Sequence, residues 1–292
     1  MIVDKPSWIS HHSSDDAAQS IYCIDVHVDS SRLATAGADG KVKIWNMQPI
    51  MNPPTAGETK DEEPKVLQTL CDHVGHVIVV RFSPNGIQIA SGAVDKAVCV
   101  YHFCEGRGSQ VFGSNDPPPV ENWKLRHHLS GHQADVVDLA WSGVDKLLAI
   151  ASVDNTISIW ETVSWKRVAT LTQHNGLVKG LAWDPIGRYL VSQSDDKYVI
   201  VWRTGDWQVA HRIGPDIFSN IINIGYSLRP SFSPDGACVT CARGFLDGVH
   251  VAPVLERQNK FARENSFVAH KAAVLVATFN PRMFYSKNAS VK

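Results

Sequence analysis

Residues 132–160 read HQADVVDLAWSGVDKLLAIASVDNTISIW, and residues 174–202 read HNGLVKGLAWDPIGRYLVSQSDDKYVIVW. His132, Trp141, Asp154 and Trp160 of the first stretch return as His174, Trp183, Asp196 and Trp202 of the second, each 42 positions on. Four landmarks with one offset make a repeat, and the period falls within the range of WD-type propeller blades. Working outward, Asp39 to Trp45 and Asp95 to Tyr101 repeat the six-residue step from Asp154 to Trp160 and from Asp196 to Trp202. A second landmark is an aromatic residue that runs into a turn: Phe82-Ser83-Pro84-Asn85-Gly86, Trp141-Ser142-Gly143, Trp183-Asp184-Pro185-Ile186-Gly187, Phe232-Ser233-Pro234-Asp235-Gly236 and Phe279-Asn280-Pro281. Pro, Gly and Asn placed after a hydrophobic run end a strand and reverse the chain.

Between these marks the apolar residues come in short runs, as in Val136 to Trp141, Leu147 to Ser152 and Thr156 to Trp160. Such runs favour strands, and no helical periodicity of useful length interrupts them. The chain therefore reads as all-β, a WD-repeat β-propeller with units near 18–48, 65–104, 123–163, 165–205 and 207–256 and a sixth that begins near 261 and runs to 292. About five full blades are expected. Loop-like insertions separate the early units near 49–64, with the acidic run Asp61-Glu62-Glu63, and near 105–119, with Pro117-Pro118-Pro119. Long loops on a rigid scaffold are common places for binding residues, although the acidic run reads first as a solvated loop. A propeller protects its sheet edges by letting an N-terminal strand complete the last blade. A chain ending after the first strand of a sixth unit is expected to leave the ring open, to be marginal in stability by itself, or to be part of a longer protein.

Composition narrows the function classes. Lys and Arg number 28 against 29 Asp and Glu, a net charge of -1, so no basic footprint for direct nucleic-acid binding is present. No apolar run is long enough for a membrane span, and Asp4 and Pro6 interrupt the place where a signal peptide needs its apolar core. Cysteines such as Cys99 sit within apolar runs, as reduced thiols do, which suits cytosol or nucleus.

Units three and four each offer a His, a Ser, an Asp and a Trp: His132, Ser152, Asp154, Trp160 and His174, Ser194, Asp196, Trp202. The set resembles a catalytic triad in composition. An enzyme needs one activated nucleophile with an oxyanion site, whereas a device copied from blade to blade is structural. The expected arrangement is a buried hydrogen-bond network in which Asp orients His, and a hydroxyl links His to the indole N–H. Cys238 and Cys241 form a lone CxxC whose side chains point to opposite faces of a strand, so no shared metal is expected. His11-His12 and His127-His128 read as surface histidines. No phosphate loop or HExxH motif occurs, and no cofactor is expected. Trp8, Trp123 and Arg203, off the buried register, are the candidate partner-binding residues. Trp165 and Trp207, again 42 positions apart, match each other in neighbouring units, which favours packing for both.

Several stretches go further than a generic propeller: Lys5-Pro6-Ser7-Trp8, Val42-Lys43-Ile44-Trp45-Asn46-Met47-Gln48-Pro49, Val111-Phe112-Gly113-Ser114, Ser152-Val153-Asp154-Asn155-Thr156, and above all the run from Gly176 through Trp183-Asp184-Pro185 and Val201-Trp202-Arg203-Thr204-Gly205-Asp206-Trp207-Gln208. In these the chain resembles the HIRA family of WD-repeat histone chaperone subunits over nearly its whole length. The propeller subunit of chromatin assembly factor shares the Ser-Val-Asp-Asn-Thr and Trp-Asp-Pro patterns, and the Val-Trp-Arg-Thr and Asp-Trp-Gln run favours HIRA. The resemblance implies a non-enzymatic nuclear scaffold for replication-independent nucleosome assembly and transcription regulation, in a larger complex with a ubinuclein-like subunit and histones. It also implies seven blades and a long C-terminal region. Residues 10–19 are an extra polar stretch relative to the family, and the fifth unit has no matching His. A ubiquitin ligase substrate receptor, the other adaptor considered, usually carries Trp-Asp-x-Arg, whereas here Glu161 follows Trp160 and Arg203 follows Trp202.

Overall fold

The computed structural model describes residues 6, 8–12, 17–52, 64–109, 118–144, 146–218, 225 and 227–280. Residues 5, 7 and 111–114 of the family-like stretches, most of both insertions, and the 281–292 end of the sixth unit lie outside them. The described chain is antiparallel sheet with a single helical turn, Gln48–Met51.

The first sheet runs from inside outward as Ile21–Val26, Arg32–Gly37, Val42–Asn46 and Val66–Leu70. The second is Val77–Phe82, Gln88–Ala93, Val98–Cys104 and Asn122–Leu129; the third is Val136–Trp141, Leu147–Ser152, Ile157–Glu161 and Arg167–Leu171. The fourth comprises Val178–Trp183, Tyr189–Ser194, Val199–Arg203 and Val209–Ile213. In the fifth, Ser231–Phe232 is innermost, and the second strand is broken into Cys238–Thr240 and Gly244–Leu246, both paired to Val249–Glu256; Ala262–His270 lies outside. Each inner strand packs on the inner strand of the next sheet, from the first through to the fifth.

Repeat unit and sheet are offset by one strand. Val66–Leu70, at the start of the second unit, closes the first sheet, and Asn122–Leu129, at the start of the third, closes the second. The segment after Phe261 behaves alike, because Ala262–His270 is the outer strand of the fifth sheet. The offset laces adjacent sheets covalently.

Burial follows position within a blade. The second strands of the first four sheets are buried on both faces after their first residue, since each is sandwiched between neighbouring blades. Small side chains fit there, among them Ala34, Ala36, Ala90, Ala149 and Ala151. Outer strands such as Arg167–Leu171 are mostly exposed. The register shifts at the same place in four inner strands, after Ile21, Val77, Val136 and Val178. A bulge there increases local twist.

Candidate functional site

Four blades contain the His–Asp–hydroxyl network, and the hydroxyls differ from those expected. In the fourth blade His174 Nδ1 lies 2.8 Å from Asp196 Oδ2 and Nε2 lies 2.7 Å from Ser192 Oγ; Trp202 Nε1–H donates to the same oxygen at 2.9 Å. In the third, His132 reaches Asp154 at 2.9 Å and Ser158 at 2.7 Å, and the Trp160 indole donates to Ser158 at 3.0 Å. Ser194 and Ser152 are therefore not the linking hydroxyls. They accept the backbone N–H groups of Asp196 and Asp154, both at 3.1 Å, and so shape the turns that hold the carboxylates. Side chains two apart on a strand share a face, but Trp202 is paired with Leu190 and Trp160 with Leu148, four residues from Ser194 and Ser152 at the far ends of those strands.

The third blade uses a cross-strand exchange. Ser192 is paired with Ile200 in the fourth blade, whereas in the third Ile150 occupies the Ser192 place and is paired with Ser158. Directly opposed residues sit on one face with neighbouring Cβ atoms, so a hydroxyl on either strand reaches the same histidine.

Two further networks went unrecognised in the sequence. His73 binds Asp95 at 2.9 Å and Ser91 at 2.8 Å, with buried Tyr101 in place of Trp. His11 lies 2.6 Å from Asp39 and 2.7 Å from Thr35, and the Trp45 indole donates to Thr35 at 2.8 Å. His11 is 1 % exposed, which corrects its reading as a surface residue. Its distance from the Asp in sequence is 28 residues, against 22 in the other three blades. The hairpin pairing His11–His12 with Ala18–Gln19 folds back the extra polar stretch and returns His11 to its place. The available signal was the hydroxyl four residues before Asp in Thr35, Ser91 and Ser192.

The electrostatics suit a structural role. Burial pushes the Asp95, Asp154 and Asp196 carboxyls up, but hydrogen bonds outweigh it and hold each below the usual range: from His73, Val74 N–H and Ala97 N–H; from Thr156, Gln133 N–H and His132; and from His174, Asn175 N–H and Tyr198 N–H. Burial lowers the His11 pKa below its ordinary value, and Asp39 only partly opposes it. All four groups take up protons more readily in the unfolded chain, so stability is full above their unfolded pKa values and declines as pH falls. The expected thermal melt moves down in two stages, below about pH 6.5 from His11 together with His102, His127 and His211, whose pKa values burial also lowers, and below about pH 4 from the carboxylates. In His11→Gln, the first stage shrinks while the second persists; an unchanged first stage would assign it to another histidine. The hydroxyls Thr35, Ser91, Ser158 and Ser192 are at most 1 % exposed, so no substrate reaches them.

Of the candidate partner-binding residues, Trp123 is buried: its indole donates to Glu121 at 2.8 Å and its ring packs on Phe82 and Phe103. That rules it out as an exposed anchor. Trp8 is half-buried with its ring 5.8 Å from that of Trp45. Arg203 is half exposed and pairs with Asp206 at 2.8 Å. Trp165 and Trp207 meet Trp141 and Trp183 edge-on at 6.1 Å in successive blades. His127 stacks on Trp165 with centroids 4.8 Å apart, while His128 is exposed. Among the described residues no group of His, Cys, Asp or Glu is arranged to hold a metal, the cysteines are free thiols, and no helix is long and apolar enough to cross a membrane.

Charged side chains converge where the inner strands meet. Asp138, fully buried, accepts Leu181 N–H at 2.9 Å and the Arg229 guanidinium at 2.7 and 3.0 Å. Arg81 lies 3.8 Å from Asp138 and 4.0 Å from Asp25, whose carboxylate accepts Phe82 N–H at 2.8 Å. Negative and positive groups alternate over the first, second, third and fifth blades. The arrangement ties blades together.

The family model for the CAF1B/HIR1 beta-propeller domain matches residues 1–222. The chain belongs to the CAF1B/HIR1 β-propeller family. Within it, this HIRA-type propeller is 45% identical over 284 residues to protein HIRA of Oryza sativa subsp. japonica, which takes in 97% of the chain and 28% of that relative. It is 42% identical over 286 residues to protein HIR1 of Cryptococcus neoformans, 98% of the chain and 32% of the relative. The HIRA-type chain thus spans about a third or less of the length of these curated relatives. A chain in the crystal structure of the mitotic checkpoint complex shares the fold, with TM-score 0.66 at 19% identity over 91% of this chain and 73% of that one.

Proposed function

We propose that this propeller is the non-enzymatic scaffold of a HIRA-type histone chaperone complex, acting in the nucleus in replication-independent nucleosome assembly and transcription regulation. It holds a ubinuclein-like subunit and, through the complex, histones. The observation that carries the reading is the 45% identity to rice HIRA across nearly all of the chain. The buried hydroxyls add support, because they fix blade geometry and offer no reactive group. The net charge of -1 fits contact with DNA through partners rather than directly.

The test is affinity purification of the tagged full-length protein from nuclear extract. Co-purification of a ubinuclein-like protein with histones is expected, and loss of both overturns the proposal. The family model also covers the CAF1B type, which keeps a chromatin assembly factor propeller as the second reading. Recovery on replicating chromatin alone would favour that reading.

A further inference from the structure

The two faces of the propeller carry different side chains. Strands alternate in direction, so inner-to-second turns and third-to-outer connections emerge on one face; the turns that hold the His–Asp pairs emerge on the other. Thr204 Oγ1 donates to Gly187 O at 2.8 Å, which joins the two kinds of connection on the first face. Both long insertions also spring from it, between Val42–Asn46 and Val66–Leu70 and between Val98–Cys104 and Asn122–Leu129.

That face presents an aliphatic tip from each of the first four blades: Val28 is 61 % exposed, Ile87 53 %, Val144 70 % and Ile186 56 %, with Val163 at 85 %. On the opposite face, the described loops of the same blades expose Val74 as their large aliphatic residue. The tips adjoin between the first and second blades and between the third and fourth. A Cβ added to Gly86 would lie 3.1 Å from Val28, and one added to Gly143 would lie 3.6 Å from the carbonyl of Pro185, beside Ile186. Apolar side chains repeated on one face and rimmed by polar groups mark an interaction surface. At one end Arg188 follows Ile186 in the same turn; it is exposed, and among the described residues its guanidinium makes no ion pair. Arg203 lines the same shallow depression with Thr204 and Asp206.

We infer that this insertion-bearing face docks an extended protein segment whose aliphatic side chains lie along the arc and whose acidic residues meet Arg188. The inference rests on the scaffold reading in requiring a protein partner, and it names the surface and the chemistry of that partner. An unpaired guanidinium beside apolar tips favours carboxylates over a basic segment.

The test uses the full chain and fluorescein-labelled synthetic peptides with the same spaced Val and Leu residues, separated by Glu, Ser or Lys. Anisotropy should rank the Glu peptide tightest. Ile186→Asp and Arg188→Glu should each weaken it by about tenfold or more, Arg188→Glu should also improve the Lys peptide, and Val74→Asp should change nothing. Melting curves matching the parent establish that the variants fold, with Ile186→Ser as the milder substitute if Ile186→Asp does not. Preference for the Lys peptide, no binding of any peptide, unchanged affinity in the variants, or loss only in Val74→Asp overturns the inference. Recovery of the ubinuclein-like protein and histones tests the scaffold reading separately, so failure of either is distinguishable.

Discussion

Asp138→Ala is expected to destabilise the protein by about 3–5 kcal/mol, the cost of removing one partner from a buried charge cluster. The carboxylate is fully buried and serves three elements at once: the Leu181 N–H of the fourth blade, Arg229 at the entry to the fifth, and Arg81 of the second. Without it, Arg81 and Arg229 face each other with one counter-charge fewer. Gly180 makes the geometry possible, since a Cβ there would lie 2.0 Å from the Leu228 carbonyl oxygen, and Leu228 N–H donates to Lys179 O at 2.9 Å. The segment carrying Arg229 therefore crosses directly over the inner strand of the fourth blade. Denaturant unfolding checks the prediction, with Asp206→Ala, which removes the exposed partner of Arg203, as the variant expected to leave the midpoint unchanged. Equal midpoints for Asp138→Ala and the parent would remove the cluster from any account of blade assembly.

Trp202→Ala should cost a similar amount, about 3–5 kcal/mol, from lost burial and the cavity left behind. Trp202 is 1 % exposed and packs with Leu181, Leu190 and Ile200 between the third and fourth blades. Ser192→Ala separates the polar part of the effect: it leaves the buried His174 Nε2 and the Trp202 N–H without their shared partner, for about 1–3 kcal/mol. Ser194→Ala loses one bond to a turn N–H and should cost about 1 kcal/mol or less. If Ser194→Ala were the more damaging of the two serine changes, the assignment of the hydroxyl to Ser192 would be wrong. Measurement by both fluorescence and circular dichroism reveals whether blades unfold together, which stacked repeats need not do.

The repeat was legible because its landmarks are chemically costly to vary. A left-handed turn residue following Asp, at Gly40, Lys96, Asn155 and Lys197, has φ between 68 and 75° in all four blades, and the Asp before it binds the turn's own backbone N–H. Such local demands leave a fixed spacing in sequence. The hydroxyl was masked, since Ser152 and Ser194 share the 42-residue offset as faithfully as the other landmarks while facing the turn, and the hydroxyl four residues before Asp in the other blades gives way to Ile150 in the third. Trp123 was misplaced for a related reason. It lies just after the second insertion; the Gln68 side chain of the first sheet bonds its backbone at 2.6 and 3.0 Å, and Phe82 and Phe103 pack on its ring.

By itself the sequence determined the all-β class, the blade period, the His–Asp pairing in the best repeats and the family, since each is written in local spacing or residue identity. The tertiary structure alone decided which hydroxyl links His to Trp, that His11 completes the first blade across a six-residue excess, and that Asp138 joins distant blades. Those choices depend on cross-strand register and on close approach between blades, and neither leaves an interval that all four blades share. The same holds for the aliphatic arc, whose members come from separate turns and become one surface only when the blades stack.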